Sequence, residues 1–258
     1  MLAPFTDDPA AAAILCDLDG TLAEIVDRPE LTRVGERVRV ALARIADRYA
    51  ATVVVTGRRA AVARRIVGIQ KLTYIGNHGF EVLLPNAPEP RPAPELSDLA
   101  RRAGVFAATL EPAELERAGL RVEDKGPIVA LHWRGARDEP AAVALAEDIA
   151  AAAERSELVA HRGRKVLELR PPLSVDKGSA TESLLLGTDA TAALYAGDDR
   201  TDLDAFRALD RLRAAGHLQT ALKIGIRSPE GPAEIAAEAD LTVAGPGALT
   251  PLLVTLAG

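Results

Sequence analysis

The chain has 258 residues, of which 48% are hydrophobic and 26% charged; such a composition buries a sizeable core and excludes a disordered chain. Aromatic residues supply only 3%, so alanine, leucine and valine must do the packing. Lysine and arginine number 31 against 37 acidic residues, a net charge of −6, which speaks against the basic face that nucleic-acid binding needs.

Strand and helix signals alternate through the first third. Ala12 to Cys16 is a short apolar run. Glu36 to Tyr49 carries Val40, Leu42, Ala43, Ile45 and Ala46 at helical spacing. Ala51 to Val55 is β-branched and bounded by Gly57, Ala60 to Val67 reads as helix, and Leu72 to Ile75 as strand. The middle differs. Five prolines between Pro85 and Pro94 predict a linker or irregular loop. A helical stretch from Leu96 to Glu116 follows, then a strand at Ile128 to Trp133, a helix at Pro140 to Ala153, and β-like segments at Glu157 to His161 and Lys165 to Arg170. After Pro171-Pro172 the alternation resumes. Ala180 to Leu186, Leu203 to Leu209, Pro232 to Ala239 and the end from Ala248 read as helices, and Ala193 to Ala196, Leu222 to Ile226 and Leu241 to Val243 as strands.

Alternation of this kind predicts parallel βαβ units. The expected fold is α/β: a doubly wound, Rossmann-like core with a mostly parallel sheet over residues 1–104 and 174–258. A smaller inserted α+β domain is expected over 105–173. A single cysteine excludes an internal disulfide and fits a reducing compartment. No run approaches the roughly 20 apolar residues of a membrane span, and Asp7 and Asp8 stand where a signal peptide carries basic residues. A cytoplasmic monomer that binds neither nucleic acid nor membrane is the expectation.

Two acidic motifs carry the chemistry. Cys16-Asp17-Leu18-Asp19-Gly20-Thr21 directly follows the first apolar run. Alternate residues of a strand share a face, so Asp17 and Asp19 can enter one small space, where like charges are costly unless a cation or a shared proton relieves them. An acidic turn is the plain alternative. Gly197-Asp198-Asp199-Arg200-Thr201-Asp202-Leu203-Asp204 follows another short strand. Thr201 with Asp204 three residues on makes a helix-cap pattern that also accounts for Asp202. It does not account for Asp198 and Asp199, which sit at the strand end, where a doubly wound sheet lines its ligand crevice. Asp198 can therefore meet Asp17 and Asp19. An all-oxygen set without histidine or cysteine favours Mg2+ over zinc. Two weaker signals fit an anion site: Thr56-Gly57-Arg58 at a strand-to-helix turn, and Lys177-Gly178 at a helix start. Alone, these are an ordinary turn and a solvated lysine.

The order strand-DxDGT, strand-TGR, Lys-Gly, strand-GDDxTD resembles the haloacid dehalogenase superfamily of phosphatases along the whole chain. Three segments of the insert narrow it: Val122-Glu123-Asp124-Lys125-Gly126, Leu131-His132-Trp133-Arg134, and Gly163 to Pro171. With Gly76-Asn77-His78-Gly79 of the core, they are similar to the trehalose-6-phosphate phosphatase family. Thr56 and Trp133 depart from the serine and tyrosine usual there. The resemblance implies that Asp17 is the nucleophile that forms an aspartyl-phosphate and Asp19 the acid and then base. It implies that Thr56 and Lys177 hold the phosphoryl oxygens. Mg2+ is implied on Asp17, the Asp19 carbonyl and Asp198, supported by Asp202 and, less firmly, Asp199. Thr21, Gly57, Arg58 and Asp199 are expected to face the substrate, trehalose 6-phosphate. Glu123, Lys125, Arg134 and Glu168 are expected to grip its sugar, with the insert as a lid hinged near Pro85 to Pro94 and Pro171 to Lys177. His132 is expected to be structural, with His78 in a turn. Phosphatases of other sugar phosphates, such as sucrose phosphate, and a non-catalytic sugar-phosphate sensor are the alternatives.

Overall fold

The structure, a computed structural model, describes the chain apart from residues 27, 93–96, 164, 173–174 and 229–230. Its contacts divide into two compact units, Met1–Arg91 with Val175–Gly258, and Pro92–Ser174. Among the described residues no helix is long and apolar enough to cross a membrane.

Unit 1 holds strands β1 (Ala12–Asp17), β2 (Ala51–Val55), β3 (Thr73–Gly76) and β4 (Glu81–Leu83), with β5 (Arg91–Pro92) at its boundary. Its helices in the first segment are α1 (Ala3–Thr6), α2 (Glu36–Ala46) and α3 (Ala60–Val67). Unit 2 holds α4 (Ser97–Ala107), α5 (Pro112–Ala118), β6 (Arg121–Asp124), β7 (Val129–His132), α6 (Glu139–Arg155), β8 (Val159–Gly163) and β9 (Val166–Arg170). The chain returns to unit 1 with α7 (Lys177–Leu186), β10 (Ala192–Gly197), α8 (Asp202–Ala214), β11 (Thr220–Arg227), α9 (Ala233–Glu238), β12 (Leu241–Ala244) and α10 (Gly245–Ala257).

The large sheet runs β12-β11-β10-β1-β2-β3-β4-β5, parallel from β12 to β3 and antiparallel at β3–β4. β1 is apolar up to Asp17 because both its faces are covered. Ala12, Ile14 and Cys16 pack with α2 and α10, while Ala13 and Leu15 pack with α7 and α8. Strand order reverses between β1 and β10, and Cys16 lies opposite Ala196. The carboxyl ends of these two strands, carrying Asp17 and Gly197-Asp198, are therefore neighbours at the switch point where doubly wound sheets bind ligands.

Unit 2 stacks its helices on one face of an antiparallel sheet ordered β6-β7-β9-β8. Val129, Leu131, Leu167 and Leu169 pack with Ala103, Phe106, Ala146 and Ile149 of the helices. This packing corrects the expected division at 104/105, which cuts through α4; the units part at Arg91 and Pro92 because Ala103 and Phe106 belong to the second core. The helix expected from Leu96 to Glu116 is two helices, with Pro112 in the first turn of α5. Its expected start at Leu96, the end of the Pro85 to Pro94 tract and part of the second hinge lie outside the described residues.

Phe206 of α8 is fully buried and meets Tyr195 of β10 edge to face, with ring centroids 6.0 Å apart. Phe206→Ala is expected to cost about 3–5 kcal/mol, read as a lower urea midpoint with an unchanged denaturant slope.

Candidate active site

Asp17, at the end of β1, is buried with only 4% of its surface exposed. Lys177 opens α7, whose N-terminus is fixed by a capping box between Asp176 and Ser179. Lys177 is 2% exposed, and its ammonium donates to Asp17 Oδ1 at 2.7 Å and to Asp202 Oδ1 at 2.8 Å. A lysine is poorly placed at a helix N-terminus; here two carboxylates more than compensate. Asp202 also accepts from the Tyr195 hydroxyl on Oδ1 and from the backbone N–H groups of Asp198 and Asp199 on Oδ2. Four donors thus converge on Asp202, and they set the course of the loop after β10.

That loop brings Asp198 beside Asp17 and Asp202, with one carboxylate oxygen of each within 4.8 Å of the others. Thr21 donates its hydroxyl to Asp198 Oδ1 at 3.1 Å. Gly20 makes this approach possible: it has φ +88°, and a Cβ there would lie 2.1 Å from Asp198 Oδ2. Three buried carboxylates with one buried ammonium are short of positive charge. An all-oxygen donor set of that kind fits a small divalent cation such as Mg2+.

The protonation pattern follows. Burial raises the Asp17 carboxyl; Lys177 opposes this, but Asp202, Asp198 and Asp199 add to it, and the result is well above the ordinary range. Burial also works against the Lys177 ammonium, yet Asp17 and Asp202 outweigh it and keep the amine charged. Asp198 is pushed up to about 7, by burial first and then by Asp202 and Asp199. Asp199 is held low: burial opposes, but Lys177 and two hydrogen bonds from Thr201 prevail.

Several expected site residues have protein partners of their own. Asp19's carboxylate lies outside the buried trio. It accepts two hydrogen bonds from Arg58, at 2.6 Å each, and a longer one from Thr32 at 3.4 Å. Any metal contact of Asp19 is left to its carbonyl. Arg58 also donates to Pro29 O and Thr32, so its described bonds go to protein groups. Thr21, expected at the substrate, is fully buried and donates to Asp198. Thr201 does not cap α8 with its side chain; both its N–H and its hydroxyl bond Asp199 Oδ1 at 2.6 Å. Thr56 is buried and accepts from Arg58 N at 3.1 Å. Gly57 packs its Cα on the His78 ring, where a Cβ would lie 2.5 Å from Nε2. Buried Glu81 accepts from Ala60 N at 2.6 Å, steadying the start of α3. Sequence reasoning missed Glu81, because β4 is only three residues long and carries no periodic signal.

In unit 2 the strand register assembles a polar face. Glu123 and Glu168 both lie opposite Ala130, and His161 lies opposite Glu168, so these residues form one row. Lys125 Nζ donates to Glu168 Oε1 at 2.8 Å, and Arg170 donates to Glu168 Oε2. Both Lys125 and Glu168 are buried. His132 Nε2 lies 2.9 Å from Glu123 Oε2, and that hydrogen bond leads the influences that hold the Glu123 carboxyl below its ordinary value. Burial, aided by Arg170, lowers His161. Arg134 is exposed in the turn after β7 and is not part of the Lys125–Glu168–Arg170 cluster. Arg170 is the arginine bonded to Glu168 on this face, which Arg121 shares opposite His132. It was legible as the alternate residue to Glu168 on the same strand.

The core's strand order, with its carboxylates gathered at the switch point, has the fold of a haloacid dehalogenase-like hydrolase. One from Bacteroides thetaiotaomicron matches with a TM-score of 0.60 at 16% identity, over 95% of this chain and 99% of that one. The model of the trehalose-phosphatase family matches residues 15–244, and the chain belongs to that family. A solved trehalose-6-phosphate phosphatase related protein superposes with a TM-score of 0.74 at 26% identity, over 95% of this chain and 96% of that one. The trehalose-phosphate phosphatase of Mycobacterium avium is 36% identical over 206 residues, covering 76% of this chain and 51% of that protein. The chain thus spans about half the length of that curated relative.

Lys177→Met leaves Asp17 and Asp202 without their shared cation. The expected loss of stability is about 3–5 kcal/mol, measured by chemical denaturation without added metal. It is expected to be larger at pH 8 than at pH 5, because protonation of the orphaned carboxylates relieves them.

Proposed function

We propose that this protein hydrolyses trehalose 6-phosphate to trehalose and phosphate, the last step of trehalose biosynthesis, in the cytoplasm. The observation that carries the chemistry is the buried Asp17–Lys177 contact at the switch point. Family membership supports the substrate. Asp17, held on Oδ1 by Lys177, offers its other oxygen to phosphorus. The bond from phosphorus to the sugar oxygen breaks as the aspartyl-phosphate forms. Asp19, protonated once one of its two Arg58 bonds is released, gives that proton to the departing sugar oxygen, then takes one from the water that releases phosphate. Lys177 and Thr56 hold phosphoryl oxygens, and positioning and charge neutralisation do most of the work. Asp17, Asp198 and the Asp19 carbonyl would hold Mg2+, with Asp202 keeping Asp198 and Lys177 in place. When bound, the ion supplies positive charge for the phosphoryl oxygens. Glu123, Lys125, Arg134 and Glu168 recognise sugar hydroxyls through charged hydrogen bonds.

The test is phosphate release across a panel of sugar phosphates, with Mg2+ and with EDTA. Trehalose 6-phosphate is expected to exceed glucose 6-phosphate in kcat/KM by at least about tenfold, or about 1.4 kcal/mol of discrimination. Asp17→Asn is expected to release no phosphate while keeping its fold. Equal rates across the panel, or turnover by the variant, refute the reading.

Mg2+ binding carries its own pH signature. The Asp198 carboxyl, raised to about 7, holds a proton below that pH. Its contribution to the metal-free fold is complete below the ordinary carboxylate range and is lost as pH rises through about 7. A cation must displace that proton, so a fixed Mg2+ concentration is expected to raise Tm more at pH 8 than at pH 6. An equal shift at both refutes the Asp198 assignment.

A further inference from the structure

The two carboxylates on the polar face of unit 2 are held by different devices. Glu168 is buried and clamped on both oxygens, by Lys125 and by Arg170. Glu123 lies on the edge strand β6 with half of its side chain exposed, 51%. A glutamate in that position samples several rotamers unless something fixes it. The described contact that does so is the ring of His132, at 2.9 Å.

The register explains why His132 is suited to this. Arg121 lies opposite His132 and Glu123 opposite Ala130, so Glu123 and His132 are diagonal neighbours on one face, within reach of long side chains. β7 is an inner strand, bonded to β6 on one side and β9 on the other, so the ring projects from a backbone anchored on both edges. Nε2 takes Oε2 and leaves Oε1 for another partner. The same bond favours the ionised carboxylate, the form that only accepts hydrogen bonds and so suits hydroxyl groups.

We propose that His132 is a positioning residue for sugar recognition, fixing the Glu123 carboxylate through Nε2 so that its second oxygen accepts from a sugar hydroxyl. This deepens the substrate reading above and rests on Glu123 touching the sugar. It also replaces the expectation of a merely structural histidine.

The experiment compares wild type, His132→Leu, His132→Gln, His132→Asn, Glu123→Ala and the His132→Leu/Glu123→Ala double variant. Each is assayed on trehalose 6-phosphate and on a small aryl phosphate that has no sugar. His132→Leu is expected to raise KM for trehalose 6-phosphate about tenfold with kcat within about twofold, and to move the aryl phosphate far less. His132→Gln keeps an N–H at similar reach and is expected to recover most of the loss. His132→Asn is too short and is expected to resemble Leu. In the Glu123→Ala background, His132→Leu is expected to add nothing. Additive losses in the double variant overturn the proposal, since His132 would then act on its own. If His132→Leu fails to fold, equal KM values for the Gln and Asn variants overturn it. A wild type with no preference for trehalose 6-phosphate over glucose 6-phosphate overturns both readings. A preference that His132→Leu leaves undiminished overturns this one alone.

Discussion

One buried ammonium organises the core. Lys177 joins β1 to α8 by donating to Asp17 and Asp202, groups that repel each other and lie far apart in sequence. Without that cation, the strand ends at the switch point would bring together carboxylates that cannot all ionise. With it, Asp202 is free to spend its other oxygen on the N–H groups of Asp198 and Asp199. The direction of the loop after β10, and so the place of Asp198, descends from this contact. The attraction does more than hold the fold: it leaves the trio short of positive charge, the condition under which a divalent ion binds.

The two units handle burial in opposite ways. The large sheet is covered on both faces, so its chemistry is confined to strand ends, where buried charges interact strongly and few groups are needed. The small antiparallel sheet is apolar on the face that meets its helices. Its other face is free to carry Glu123, His132, Glu168 and Arg170 in register. Strand alternation alone produces that separation. A charged, deeply buried centre suits phosphate; a broad face of alternating donors and acceptors suits a molecule rich in hydroxyls.

Much of this was legible in the sequence. The βα alternation gave the parallel core, because strands covered on both faces read as continuous apolar runs. Asp17 and Asp198 stood out because charge at a strand end has few harmless explanations, whereas Lys177 alone read as a solvated lysine and entered only through the family resemblance. What stayed hidden depended on partners distant in the chain. Thr21 reads as a substrate residue, and its bond to Asp198, 177 residues on, is not visible in the sequence. The Asp19 carboxylate reads as an acid and base, and the sequence does not show that Arg58, 39 residues on, bonds both its oxygens. Thr201 looks like a helix cap, but its hydroxyl is drawn off by Asp199. In unit 2 the boundary was misplaced because α4 is amphipathic on its own and only packing reveals which core it serves. His132 was set aside because one strand's alternation was known but not the register of its neighbour.

The position of β1 between β2 and β10 has a consequence for synthesis. β2 emerges soon after β1, but the strand on its other side, Ala192–Gly197, follows only after all of unit 2. Until then β1, an apolar strand, presents an unpaired edge of the kind that seeds association between chains. The same delay separates Asp17 from Lys177 and Asp202. A nascent chain therefore cannot assemble its charged centre early, and vulnerability to aggregation and acquisition of the centre end together, when the last third of the chain arrives.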